Sequence, residues 1–384
     1  MTHNLKVDRL RGLFAVAVVV GHAYDISAPA TLGDTFFRIL QPARNLVGFP
    51  WVVGFVVLSG FCINMSCRRQ GTFSFRHFWL LRATRLFPML LAAVAVAAAL
   101  EWVMLGSPAR PPVWPENIDV PHLFTNLIGL GGFYGRFGSL APSYTLSFEL
   151  LYYLLWSLSL TFLTPRSASI ANAAFVAAFL FFHQQIAATL PAFASSILAP
   201  FVIVIYIPWL LGAVMANHVE ALTRSRFVTG IARLGWIALP LFLMYAWDQY
   251  RQPDLTLSSP GGLWMAVAYY GLLGGVFALI VIDSYRPGAG FQGPVLDARL
   301  GLLSYPLFLL HGPLIVFGGY VMKLTGVRIH FMWHFVILTA VSIAVSWLVA
   351  TALERRVLDA RARLRERASG APPARVPSPV ASAV

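Results

Sequence analysis

Ten apolar runs, most of them near the roughly 17–25 residues that a bilayer-spanning helix needs, dominate this chain and leave little room for any other fold. They cover Leu10–Tyr24, Gly48–Met65, Thr84–Leu105, Ser143–Leu163, Ile170–Leu190, Ser196–Ala216, Arg233–Ala246, Leu263–Asp283, Gly301–Met322 and Phe331–Leu353. The first and seventh are the shortest. Only 11% of the residues are charged, against about 25% in soluble domains. A bilayer gives no hydrogen bonds to exposed backbone, so runs of this length must close their own bonds as helices. The expected fold is all-α: a polytopic bundle of about ten transmembrane helices. We place one membrane domain at 1–355 and a basic, largely disordered tail at 356–384, where Ala, Pro, Ser and Arg cannot bury a core. The first run lacks a small-residue cleavage site, so it is expected to remain as a membrane helix.

The net charge of +13 does not by itself point to nucleic acid. With the N-terminus inside, 21 of the 28 Lys and Arg fall on the inner side and 7 on the outer. That bias is the positive-inside signature and places both termini in the cytoplasm. No basic module with interleaved aromatics occurs, and no nucleic-acid partner is expected. Cys62 and Cys67 are too few and too close to make a disulfide framework or a metal motif, so no metal is expected. The longest polar connection, Gly106–Pro142, is long enough to be functional. No internal repeat is evident, which disfavours an inverted-repeat transporter.

Ionisable residues inside spans mark functional sites by default. Arg11 and His22 bracket an uncharged run, GLFAVAVVVG, and their spacing of eleven puts them on nearly one helix face about 16 Å apart along the axis. A neutral imidazole at His22 can take a proton from an attacking hydroxyl, and Asp25, three residues on, can orient the ring. Arg11 could meet a phosphate or a thioester carbonyl, or it could be a flanking residue that snorkels to the headgroups. Glu149 is the one acidic residue well inside a span and wants a partner there. Ser59 and Gly60 offer a hydroxyl and a close backbone approach; packing is the ordinary use of such residues. Arg68, Arg69, Arg82 and Arg85 form a basic cluster on the inner side, with Arg82 and Arg85 on one helix face. They suit the phosphates of a coenzyme or anionic headgroups. Ser304, Tyr305 and His311 are polar positions in an apolar helix and are candidates to line a substrate site; an interfacial anchor or an interhelical hydrogen bond are the plainer uses.

Five segments carry a family resemblance: Arg11 with His22; GFVVLSGF from Gly54 to Phe61; FWLLRATRLFP from Phe78 to Pro88; YTLSFE from Tyr144 to Glu149, followed by Tyr152 and Tyr153; and LGLLSYPLFLLH from Leu300 to His311. In that order they resemble the acyltransferase-3 family, the membrane O-acyltransferases of the bacterial O-antigen and exopolysaccharide O-acetylase type. Tyr144, Val56 and Phe308 stand where that family commonly has Trp, Phe and Tyr. The resemblance implies an O-acetyltransferase in the bacterial plasma membrane that uses acetyl-CoA as cosubstrate, with no permanently bound cofactor. It implies a cell-surface or exported carbohydrate, or another hydroxyl compound, as acceptor. It also implies roles for Arg11 and His22, with Glu149 and the Arg82–Arg85 pair beside them. The competing readings are a flippase for a lipid-linked glycan, and acylation of a small molecule such as a macrolide or lipo-oligosaccharide.

Overall fold

The computed structural model describes residues 5–27, 46–69, 72–111, 117–189, 197–198, 200–249, 260–286, 294–326, 331–354 and 356–357, and among them all regular structure is helical. The long helices are α1 (Leu5–Ser27), α2 (Pro50–Arg69), α3 (Phe75–Met104), α6 (Ser143–Phe162), α7 (Pro165–Phe181), α9 (Ile207–Arg224), α10 (Arg226–Gln249), α11 (Pro260–Tyr285), α12 (Pro294–Thr325) and α13 (Phe331–Val349). Short helices α4 (Val120–Leu127), α5 (Gly131–Tyr134) and α8 (His183–Thr189) lie between them. Two π-helical turns, Phe201–Tyr206 and Ala350–Glu354, lead into α9 and extend α13.

Among the described residues, eight helices are long and apolar enough to cross a membrane. They match eight of the ten runs expected from sequence. The other two are also helices but fall short by composition or length. Ser, Thr, Tyr and Glu149 dilute the 20 residues of α6, and α7 has only 17. The expected run Ile170–Leu190 is not one helix: it breaks at Phe182, which caps α7, and α8 begins at His183. Several helices begin earlier than hydropathy alone suggests. α1 starts at Leu5, α3 at Phe75 and α12 at Pro294, because charged first turns are helical even though they are not apolar. The tail beyond residue 357 lies outside the described residues, as do parts of the polar connections at 112–116 and 250–259.

α1 and α12 pack in parallel, and polar contacts fix their register. Arg9 donates to both carboxylate oxygens of Asp297 at 2.6 and 2.7 Å. The Asp8 side chain lies against Gly301, the Gly12 backbone against Leu300, and the His22 ring on His311. Between these levels Ala15 and Val19 pack on Leu303 and Leu307. α2 runs antiparallel on the other side of α1. Its leading turn is tied at Gly48, whose N–H donates to Ala17 O at 2.9 Å, and Phe14 sits among Trp51, Phe55 and Phe277.

α2 and α9 approach closest at Gly60 and Gly212. A Cβ at Gly60 would collide with the Trp209 carbonyl, and one at Gly212 with the Val57 carbonyl. Both obstacles are backbone and cannot rotate away. Gly60→Ala is therefore expected to cost about 1–3 kcal/mol through overpacking, read as a lowered melting temperature in detergent. A wild-type melting temperature would mean that the helices can separate freely here.

The π-helical turn before α9 follows from Pro208. Proline lacks the N–H that would close an α-turn, and its ring crowds the preceding carbonyls. The wider turn puts Tyr206 beside Trp209, rings 6.0 Å apart and nearly parallel, and lets the Tyr206 hydroxyl donate to Asn172 on α7. Phe148, Tyr152 and Trp156 from α6 complete a fully buried aromatic centre. By contrast, α10 and α13 expose apolar rows, among them Trp236, Ile237 and Leu241, and Trp333, Val336 and Ile337. That is the surface lipid covers.

Candidate active site

Five helices converge on one cavity, which is partly open to solvent. α1 contributes Arg11; α2 contributes Phe55, Val56, Ser59, Cys62 and Ile63; α3 contributes Arg82, Arg85 and Leu86. α6 adds Thr145, Glu149, Tyr152 and Tyr153, and α12 adds Ser304, Tyr305 and Phe308. Helical spacing explains why these positions meet. Arg82 and Arg85, and Ser59 and Cys62, are three apart; Thr145, Glu149 and Tyr153 are four apart. Each set therefore points one way from its helix.

Three guanidinium groups and one carboxylate share this space, an excess of positive charge inside an apolar bundle. Arg11 pairs with the buried Asp8 one turn earlier, 3.4 Å away. Arg82 lies over the rings of Phe78 and Tyr153, at 5.3 and 5.7 Å. Its Nε is buried and has no hydrogen-bond partner among the described residues. Arg85 lies 6.0 Å from the Tyr305 ring. Aromatic faces hold a guanidinium in place without neutralising it. The Tyr153 hydroxyl donates to Glu149, and the Tyr152 hydroxyl donates to Ser59 Oγ at 3.3 Å. Tyr305 donates to the Leu86 carbonyl at 3.3 Å, and Ser304 to Gly301 at 2.8 Å. A buried donor without an acceptor, beside two further cations, makes a binding place for an anion.

His22 and His311 form a second group, further along α1 and α12. Their rings stack with centroids 5.2 Å apart and planes 14° apart. His311 is buried, and its Nδ1 lies 3.2 Å from the Leu307 carbonyl. A carbonyl only accepts, so Nδ1 carries the hydrogen and in a neutral ring Nε2 is the basic nitrogen. His22 is half-buried and Asp25 exposed.

A lobe built from residues 105–111 and 117–142 sits at this histidine end. The carboxylate of Glu101, at the end of α3, anchors it. Glu101 is fully buried, pairs with Arg110 at 3.1 Å, and accepts the Ser139 N–H at 2.6 Å. Gly138 takes φ +50° so that the chain can pass against that carboxylate, where a side chain would be strained and would collide. Ser139 in turn rests on Gly312, the residue after His311. Lys323 donates to Pro108 O at 2.8 Å. Asp119 caps α4, and hydrogen bonds from the His122 backbone and ring hold its carboxyl below the usual carboxylate range.

The sequence-derived site residues thus separate into groups. Arg11, Ser59, Arg82, Arg85, Glu149, Ser304 and Tyr305 meet in the cavity. His22 and His311 meet each other, one level away. Gly60, Arg68 and Arg69 lie elsewhere. Gly60 is spent on the α2–α9 crossing, Arg68 donates to the Ala216 carbonyl, and Arg69 reaches the Tyr285 hydroxyl at 3.2 Å. Glu149 takes Tyr153 as its partner and faces the arginines. Sequence reasoning passed over Asp8 and Phe55 and gave Cys62 no site role. Asp8 carried a legible signal, a carboxylate three residues before Arg11.

A bundle of apolar helices around a cavity that holds charged side chains is the architecture of an integral membrane protein. A sequence profile described as an acyltransferase domain, that of the acyltransferase-3 family, matches residues 4–351. The chain belongs to this family and is a multi-pass membrane acyltransferase. No curated protein and no solved structure gives a significant match.

Proposed function

We propose that this acyltransferase moves an acyl group, acetyl in the first instance, from acyl-CoA to a hydroxyl of a cell-surface or exported carbohydrate. The single observation that carries the donor half is the cationic cavity, with the Arg82 Nε buried and unpartnered beside Arg85 and Arg11. The phosphates of acyl-CoA supply the anion that such a site favours. In this reading the Arg82 end of the bundle faces the cytoplasm, where acyl-CoA is made, and both termini lie there. The positive-inside bias supports that orientation.

The acyl thioester at the end of the pantetheine arm then reaches toward the histidine end. The distance from Arg11 to His22 is about 16 Å along α1, of the same order as that extended arm. The acceptor enters from the lobe side. His22 takes the proton of the acceptor hydroxyl as its oxygen attacks the thioester carbonyl. The C–S bond breaks, the ester C–O bond forms, and the CoA thiolate recovers a proton from the imidazolium. His311, stacked on His22 and fixed by Leu307 O, positions that ring.

The test uses the full chain in proteoliposomes with labelled acetyl-CoA outside and glycan acceptor present. Label appearing on the glycan supports the reading. Glycan crossing the bilayer without label would replace it with a flippase. Arg82→Ala addresses the donor site. Loss of a charge-assisted hydrogen bond worth about 1.5–3 kcal/mol raises the KM for acyl-CoA by roughly 10- to 150-fold and leaves the acceptor KM within a few-fold. An unchanged donor KM would remove Arg82 from the site.

A further inference from the structure

The cavity that holds the arginines and the stack that holds His22 lie at different levels along α1 and α12. No lining residue of the cavity is a histidine. What stands between them is aromatic. Phe308 lines the cavity, and its ring centroid is 6.1 Å from that of His311. On its other side it is 5.4 Å from Phe55, which also lines the cavity. Phe55 lies in turn 5.9 Å from Phe14, edge to face. Phe14 is the residue one turn beyond Arg11 in the direction of His22.

The order along the helices says the same. On α12, Tyr305, Phe308 and His311 follow at intervals of three, about 4.5 Å of rise each. The first is in the cavity, the second at its wall, and the third in the histidine stack. On α1, Phe14 falls between Arg11 and His22. Phe14 is fully buried and is clamped by Trp51 and Phe277 as well, so it cannot swing aside. Phe55 and Phe308 are only half-buried and each faces open cavity. They are the movable part of the wall.

Resting on the acyl-CoA reading above, we infer that Phe55 and Phe308 form an aromatic partition that selects the acyl group by length. A thioester travelling from the arginines to His22 must pass these two rings. An acetyl group ends in a single methyl and needs little room beside the thioester carbonyl. Each further methylene must lie against, or displace, a ring that is already in contact on its far side. Selection therefore acts at the reacting end of the donor, while the arginines bind its nucleotide end alike for every chain length. Phe55 and Phe308 are positioning and specificity residues; the proton transfer stays with the histidine stack.

The experiment competes equimolar acetyl-, butyryl- and hexanoyl-CoA in membranes from cells producing the full chain, which carry the native acceptor, and measures each acyl group on the glycan fraction. Phe308→Ala is expected to raise the hexanoyl-to-acetyl ratio at least about tenfold, the low end of what one methylene commands in an apolar pocket. Phe55→Leu should shift it in the same direction, and Phe308→Tyr should leave it as in the wild type. An unchanged ratio in Phe308→Ala and Phe55→Leu, with acetyl transfer retained, overturns the partition and leaves the enzyme reading standing. Loss of transfer from all three donors by folded Phe308→Leu and Phe55→Leu chains also overturns it. A wild-type chain that transfers none of the three overturns the reading on which it rests.

Discussion

Replacing His22 by alanine is expected to lower acyl transfer by about 10²–10⁴-fold, the usual contribution of a positioned general base. The protein should still insert and accumulate. His22 is half-buried and packs on His311, so truncation does not empty a fully buried core position. The donor cavity does not include it, so acyl-CoA binding should persist. That pattern separates a chemical role from a structural one: kcat falls while the donor affinity and the melting temperature stay within a few-fold and a few degrees of wild type. Transfer within threefold of wild type would assign the proton to another group. His311→Ala carries a smaller expectation, since His311 acts through the ring it stacks on.

Glu101→Ala should produce the largest loss of stability. Glu101 is fully buried, and Arg110 is only 7% exposed at its side chain. Removing one partner of a buried pair leaves the other charge without compensation, at about 3–5 kcal/mol. The same change deprives the Ser139 N–H of its acceptor. Ser139 rests on Gly312, next to His311, so the damage reaches the histidine end through backbone contact. Limited proteolysis should cut the lobe around Ser139 faster in this variant, and the melting temperature should fall. Wild-type protease resistance would show that the lobe is held by its other ties, Lys323 to Pro108 and Ser147 to Gly132.

The helical bundle was legible in the sequence because a bilayer leaves so few choices. Long apolar runs have no other stable form there, and hydropathy located most of them. What hydropathy could not give is where a run breaks or starts. Ile170–Leu190 reads as one run although His183, Gln184 and Gln185 interrupt it, and the helix breaks at Phe182 between α7 and α8. The charged first turns of α1 and α12 are helical because Arg9 and Asp297 bind each other, a contact between residues far apart in sequence. For the site, residue types at helical spacing identified most of the cavity: Arg11, Ser59, Arg82, Arg85, Glu149, Ser304 and Tyr305. Arg68, Arg69 and Gly60 lie outside that cavity, on other sides of their helix. Those three face α9 and α11, and no spacing rule says which neighbour a face will meet. The partner of Glu149 was legible at i,i+4 as Tyr153; the partner of His22, at the far end of the chain, was not.

The parallel pairing of α1 with α12 also sets a schedule. Of these two helices α1 leaves the ribosome first and α12 last, with 289 positions separating His22 from His311. At about 5–20 residues per second, the wait is roughly 15–60 s. Throughout that interval Arg9 and His22 sit in a membrane helix whose α12 partners, Asp297 and His311, have not yet been made. The histidine pair therefore assembles only after α12 has emerged, and the nascent chain has to shelter a costly helix until then.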